Sequence, residues 1–136
     1  MSENSKMQLL KAQLFAQSDL YIVPIEQYFD ENEDASSMGC NLDNPPPISV
    51  FKKILTGLLS RSDVEAVYAE ISEIDPGDEH WPYADTVLVC GNISVHVLQA
   101  LVSRLEPDEV RVLSDSELPQ NLIGRHQTPA LIVWWD

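Results

Sequence analysis

The chain has little of what small proteins use to build reactive sites. Two cysteines, Cys40 and Cys90, stand in 136 residues; they are too few for a disulfide framework and form no CxxC pair. Its three histidines, His80, His96 and His126, fall in separate segments without HxxxH spacing. A zinc site would have to be assembled wholly by folding. The five glycines include no GxGxxG and no GKS or GKT sequence, so no phosphate loop is present. No apolar run approaches the roughly 18 residues that span a bilayer. The opening MSENSKMQLLKAQLF lacks both a long apolar stretch and a small-residue cleavage site, so no signal peptide is expected. These absences point to a cytoplasmic protein without cofactor or metal.

Positive charge is also scarce. Eight Lys and Arg face 22 Asp and Glu, a formal net charge of -14. Nucleic-acid affinity depends on clustered Lys and Arg, and anionic membrane surfaces repel such a chain for the same reason, so neither is expected as a partner. A basic protein would instead be steered toward it. The bland alternative is that excess acid keeps the protein soluble.

What is present reads as one domain over residues 1-136. Met7, Leu10 and Leu14 recur at helical spacing, with Lys6, Lys11, Gln13 and Gln17 mostly around the other side. DLYIVPIEQY reads as a short strand, with Pro24 at an edge or at the strand's end. Residues 30-47, DENEDASSMGCNLDNPPP, form the clearest loop, because like charges, Ser, Gly and three prolines oppose regular structure. Mobility is expected there. Ile48, Phe51, Leu55 and Leu58 make a strong helical stripe after Pro47, and Gly57 within it predicts close packing.

DVEAVYAEISEID fits two readings. Val64, Val67, Tyr68 and Ile71 suit a helix, with Ser62 and Glu65 mimicking a capping box. Val67, Ala69 and Ile71 also alternate, and the β-branched and aromatic content favours a strand paired antiparallel with TVLVCG. The strand reading is the one adopted. A further helix runs from Ile93 toward Leu105 and Pro107, with Asn92 as its N-cap, and DEVRVL and ALIVWW supply two more strands. Interleaved helices and strands predict an α/β (α+β) single domain. Its sheet would be mixed, mostly antiparallel, with about five strands and about three helices. Residues 87-112 would form a right-handed β-α-β crossover.

Cys90-Gly91-Asn92 has the outline of a site, since a strand ends there and a helix follows. A reactive thiol needs access and a cationic neighbour, whereas Cys90 closes the run VLVC, where a small apolar side chain belongs to the core. The corner reading is preferred. Aromatic groups offer more. HWPYAD places Trp81 and Tyr83 in a connection stiffened by Pro82, beside Asp78, Glu79 and Asp85. Trp134 and Trp135 are adjacent on a strand and must point to opposite faces. Trp81, Tyr83, Asp78, Glu79, Asp85 and Trp135 are therefore the candidate binding residues, as rigid aromatic anchors with negative charge around them. The competing reading makes the aromatics caps on the core.

EIDPGDEHWPYADTVLVCGN, with LEPDEV downstream and the terminal VWWD, resembles a pattern of small acidic bacterial domains of unknown function. The likeness covers roughly residues 50-136. It implies a compact α/β domain and the strand reading of residues 65-74, and it brings no activity.

Three functions remain, in this order. The first is a non-enzymatic, immunity- or inhibitor-like module that docks a basic partner. The second is a small enzyme built around Trp81, Tyr83 and Asp85, with His80 or His126. The third is a self-associating protein whose edge strand ALIVWW pairs with its copy.

Overall fold

The computed structural model describes residues 5-17, 21-34, 37-39, 42, 44-77, 80-114, 117 and 129-135. Among them the order is α1 (Ser5–Phe15), β1 (Ile22–Pro24), α2 (Ile25–Phe29), α3 (Ile48–Gly57), β2 (Val64–Glu73), β3 (Tyr83–Gly91), α4 (Val95–Val102), β4 (Glu109–Val112) and β5 (Ala130–Trp134). Short 3-10 turns, Leu58–Ser60 and Ser103–Leu105, extend α3 and α4. The strands form one sheet in the order β1-β2-β3-β5-β4, and every neighbouring pair is antiparallel. This is a single α+β domain with a five-stranded sheet, as the sequence pattern predicts; the sheet is antiparallel throughout, without the parallel pair that a mixed sheet would hold.

Two details differ from the expected topology. ALIVWW is no edge strand, because β5 is paired on both sides, by β3 and by β4. A strand apolar on both faces belongs inside a sheet. The edges are instead its two shortest strands, β1 ended by Pro24 and β4 carrying Glu109 and Arg111, and short, charged or Pro-ended strands resist edge pairing. The crossover from β3 through α4 to β4 does join parallel strands, but β5 is inserted between them.

Local chemistry explains the helix boundaries. α1 buries Met7, Leu10 and Leu14. It also buries Lys11, which the periodicity places outward; the ammonium donates to Asp75 Oδ1 and to the Gly77 carbonyl, each at 2.9 Å. α2, hidden in DLYIVPIEQY, starts directly after Pro24, whose φ of -53° already suits a helix entry. At five residues it is too short to show a period. α3 begins after Pro47 and buries Phe51, Leu55 and, in the turn that follows, Leu58. Gly57 is not closely packed: an added Cβ would meet nothing within 4 Å. The N-cap of α4 is Ser94 rather than Asn92. Its Oγ accepts the Val97 N–H at 3.2 Å, while Ile93 is buried just ahead of it.

The sheet separates two apolar clusters. On one face Val67, Ala69, Val87, Val89, Leu131 and Val133 pack against residues of α1, α2, α3 and α4. The other face holds Ile22, Tyr68, Leu88, Cys90, Ala130 and Ile132, and this cluster draws no residue from a helix. Trp134 packs on that second face and Trp135 on the first, the alternation expected of neighbours on a strand. Across the second face the register runs Ile22, Glu70, Thr86, Trp134, Glu109, so these side chains share one row. No helix among the described residues is long and apolar enough to cross a membrane.

Candidate functional site

The Trp81 segment is held from three sides. From the loop after α2, Asp34 Oδ2 accepts the Trp81 N–H at 3.0 Å and lies 3.2 Å from His80 Nδ1. From α1, Lys11 fastens Asp75 and Gly77. From α2, the hydroxyl of fully buried Tyr28 lies 2.8 Å from the carbonyl oxygens of both Ser37 and Pro82. The Ser37 carbonyl in turn accepts the Ala84 N–H at 2.8 Å. Within the acidic loop Asn32, Ser37 and Met38 are thus buried, and Asn32 Oδ1 accepts the Asp34 N–H.

This places the sequence candidates as follows. Trp81 is buried at 5% exposure in the main core. Its Nε1 is, among the described residues, a buried donor without a partner, an uncommon state for an indole N–H. Tyr83 is half-buried, its ring 6.3 Å from that of His80 at an interplanar angle of 66°. Trp135 is 2% exposed and donates through Nε1 to the Leu105 carbonyl at 2.8 Å, which makes it a strut between β5 and the end of α4. Buried and satisfied, it presents nothing to a partner. Asp78, Glu79 and His126 lie outside the described residues, as does Cys40.

Asp85 leads elsewhere. Between Glu70 and Ile71 the register of β2 on β3 shifts, pairing Thr86 and then Ala84, so Asp85 is the extra residue of a bulge. Bulges re-aim side chains. Asp85 accepts from Thr86 Oγ1 at 3.0 Å, and its carbonyl receives the Trp135 N–H at 2.9 Å. The half-buried Glu70 carboxyl is pushed above the usual carboxylate range, first by burial and then by the charge of Asp85. Neither carboxylate has an ion pair among the described residues, whereas Lys6, Lys11, Arg61 and Arg111 are all engaged with other acids. Trp134, partly buried, stands in the same row as Glu70, with Thr86 between them.

Sequence reasoning missed Glu70, Trp134 and Asp34. The first two are joined only by strand register, which emerges after pairing. Asp34 acts across 47 positions of chain, with no local signal in an acid-rich loop.

Chemistry of other kinds has little to work with here. Cys90 is 1% exposed, and burial pushes its thiol up to about 11, the opposite of an activated nucleophile. Gly91 fits the corner reading: an added Cβ would lie 2.2 Å from the Asp63 carbonyl oxygen, so the glycine is there for close backbone approach. Among the described residues no group of three His, Cys, Asp or Glu side chains is arranged to hold a metal ion.

No curated protein and no solved structure matches the chain. Residues 4–130 match the family described as the Uncharacterized protein YfbO family, and the chain belongs to it.

Proposed function

We propose that this chain is a non-enzymatic interaction module of the bacterial cytoplasm that docks a basic partner protein, with Glu70, Asp85 and Trp134 as the contact. One observation carries the reading: two half-buried carboxylates that feel each other's charge, without an ion pair among the described residues, with a partly buried indole two strands away in the same row. Holding like charges together in a low-dielectric setting costs folding free energy, and a Lys or Arg from outside offsets that cost on binding. The indole face adds a cation-π contact. The net charge of -14 steers a basic partner inward over longer range.

A test is titration of the full chain with an arginine-rich peptide, followed by the indole N–H signals in NMR. Trp134 is expected to shift, while the buried Trp81 and Trp135 stay still. Glu70→Gln with Asp85→Asn should weaken the peptide at least tenfold. Equal shifts at every acidic segment, or a double variant that binds as the parent does, would overturn the reading.

The enzymatic alternative has one observation in its favour. His80 Nδ1 beside Asp34 Oδ2, with the ring half-exposed, has the form of a base and its orienting carboxylate. Among the described residues no Ser, Thr or Cys is hydrogen-bonded to that ring, so the interaction reading ranks first.

A further inference from the structure

Charge is distributed very unevenly over this molecule. α3, α4 and the 3-10 turns that extend them contain none of the 22 acidic side chains. Their outward positions carry Ser49, Lys52, Lys53, His96, Gln99 and Arg104 instead, together with Val97, Ala100 and Leu101. Lys52, Lys53 and Arg104 have no ion pair among the described residues, unlike the engaged Lys6, Lys11, Arg61 and Arg111. Val97 and Leu101 are 39% and 37% exposed. Four positions apart, they form one stripe along α4, with Ala100 beside it to allow close approach. The exposed Leu9 and Phe15 of α1 are six positions apart and lie on different sides of that helix, so they form no such stripe. α3 packs against α4, so the two acid-free helices adjoin, and Glu106, Asp108 and Glu109 meet them only at the rim beside Gln99 and Ser103.

We infer that this surface is where a second copy of the chain docks, as a two-fold dimer centred on Val97, Ala100 and Leu101. Two bodies that each carry -14 repel, and almost any other apposition sets carboxylate against carboxylate. On the α3-α4 face that penalty is smallest: the three unpaired cations lower the local repulsion, and their long stems can cover apolar surface. A two-fold contact brings the same patch from both copies together, so the patch must tolerate itself. A neutral, apolar stripe does. The basic-partner surface lies on the opposite sheet face, so the two readings stand or fall separately.

The experiment is sedimentation velocity on the full chain from low to high micromolar protein, at low and at half-molar salt. A monomer-dimer equilibrium is expected that tightens as salt rises, because salt screens the repulsion between the copies. Leu101→Glu should weaken it at least tenfold. The position is partly exposed, so that variant should keep its fold, which circular dichroism checks. Val97→Ser should weaken it less, and Val112→Glu, at an apolar residue 51% exposed on the β4 edge, should leave it unchanged. A chain monomeric under all conditions overturns the inference. So does a dimer dispersed by Val112→Glu but not by Leu101→Glu, or one that loosens as salt rises.

Discussion

The Asp34 carboxylate receives the Trp81 N–H at 3.0 Å, across 47 positions of sequence. One oxygen of an acid-rich loop thereby fixes the entry to the longest antiparallel pair in the sheet. Asp34→Ala leaves a part-buried N–H without an acceptor, a loss of about 1–3 kcal/mol. Asp34→Asn keeps an acceptor and should lose less. Urea unfolding of both variants measures the difference, and equal stability of Asp34→Ala and the parent would show that the contact is idle.

Gly57 and Gly91 have opposite expectations. Gly57 has φ -62° and ψ -26°, an open surround and a place at the end of α3. Gly57→Ala should therefore stabilise the fold by about 0.5–1 kcal/mol, through a less disordered unfolded chain.

At Gly91 the new Cβ would stand 2.2 Å from the Asp63 oxygen and 2.9 Å from Val64 Cα. Both are backbone atoms that cannot step aside without moving β2. Gly91→Ala should destabilise by about 3 kcal/mol or more, read as a fall in the urea midpoint.

How much of this was legible beforehand follows from distance along the chain. Periodicity placed the stripe Phe51, Leu55 and Leu58, and alternation placed Val67, Ala69 and Ile71 on one face of β2, because both are local. The Trp134/Trp135 split followed from the pleat alone. Lys11 was misplaced because a helical wheel cannot register that Asp75 and Gly77 wait on the inner side. The row from Glu70 to Trp134 was invisible for the same reason: it is a product of register and of one bulge. Asn92 and Ser94 both suit an N-cap, and buried Ile93 between them decides in favour of Ser94.

Cys90 offers a titration with a definite sign. Its thiol is raised from 9.0 to about 11, first by burial and then by the charge of Glu65. Between those values the unfolded chain has lost a proton that the folded chain keeps, so stability falls as pH rises through that window. Below pH 9 the contribution is fully present. Other groups titrate there too, so the measurement is a comparison: the melting temperature of Cys90→Ala should fall less steeply above pH 9 than that of the parent. Parallel slopes would mean that Cys90 is more accessible than its burial implies, and thiol reagents would then label it quickly in the native state.

The last prediction concerns Glu70, where stability and binding should pull apart. Its carboxyl is raised above the usual range by burial and by Asp85. The folded state therefore holds the proton more tightly than the unfolded chain does. The stabilising effect is present below the ordinary glutamate value of 4.5 and is lost as pH rises through the folded value. At neutral pH Glu70 is thus a destabilising charge in the free protein. Glu70→Gln keeps the shape and removes that charge, so it should raise the neutral-pH melting temperature and steepen the acid limb of the stability profile, because the stability that Glu70 gains on taking up its proton is gone. Asp85→Asn should give part of the same gain. A residue retained only for the fold would show the reverse, a loss on substitution. If Glu70→Gln is more stable and also binds the arginine-rich peptide more weakly, the charge is kept for a partner at the expense of the free fold. If it is less stable, the carboxylate has a structural role on β2 and the proposed contact loses its foundation.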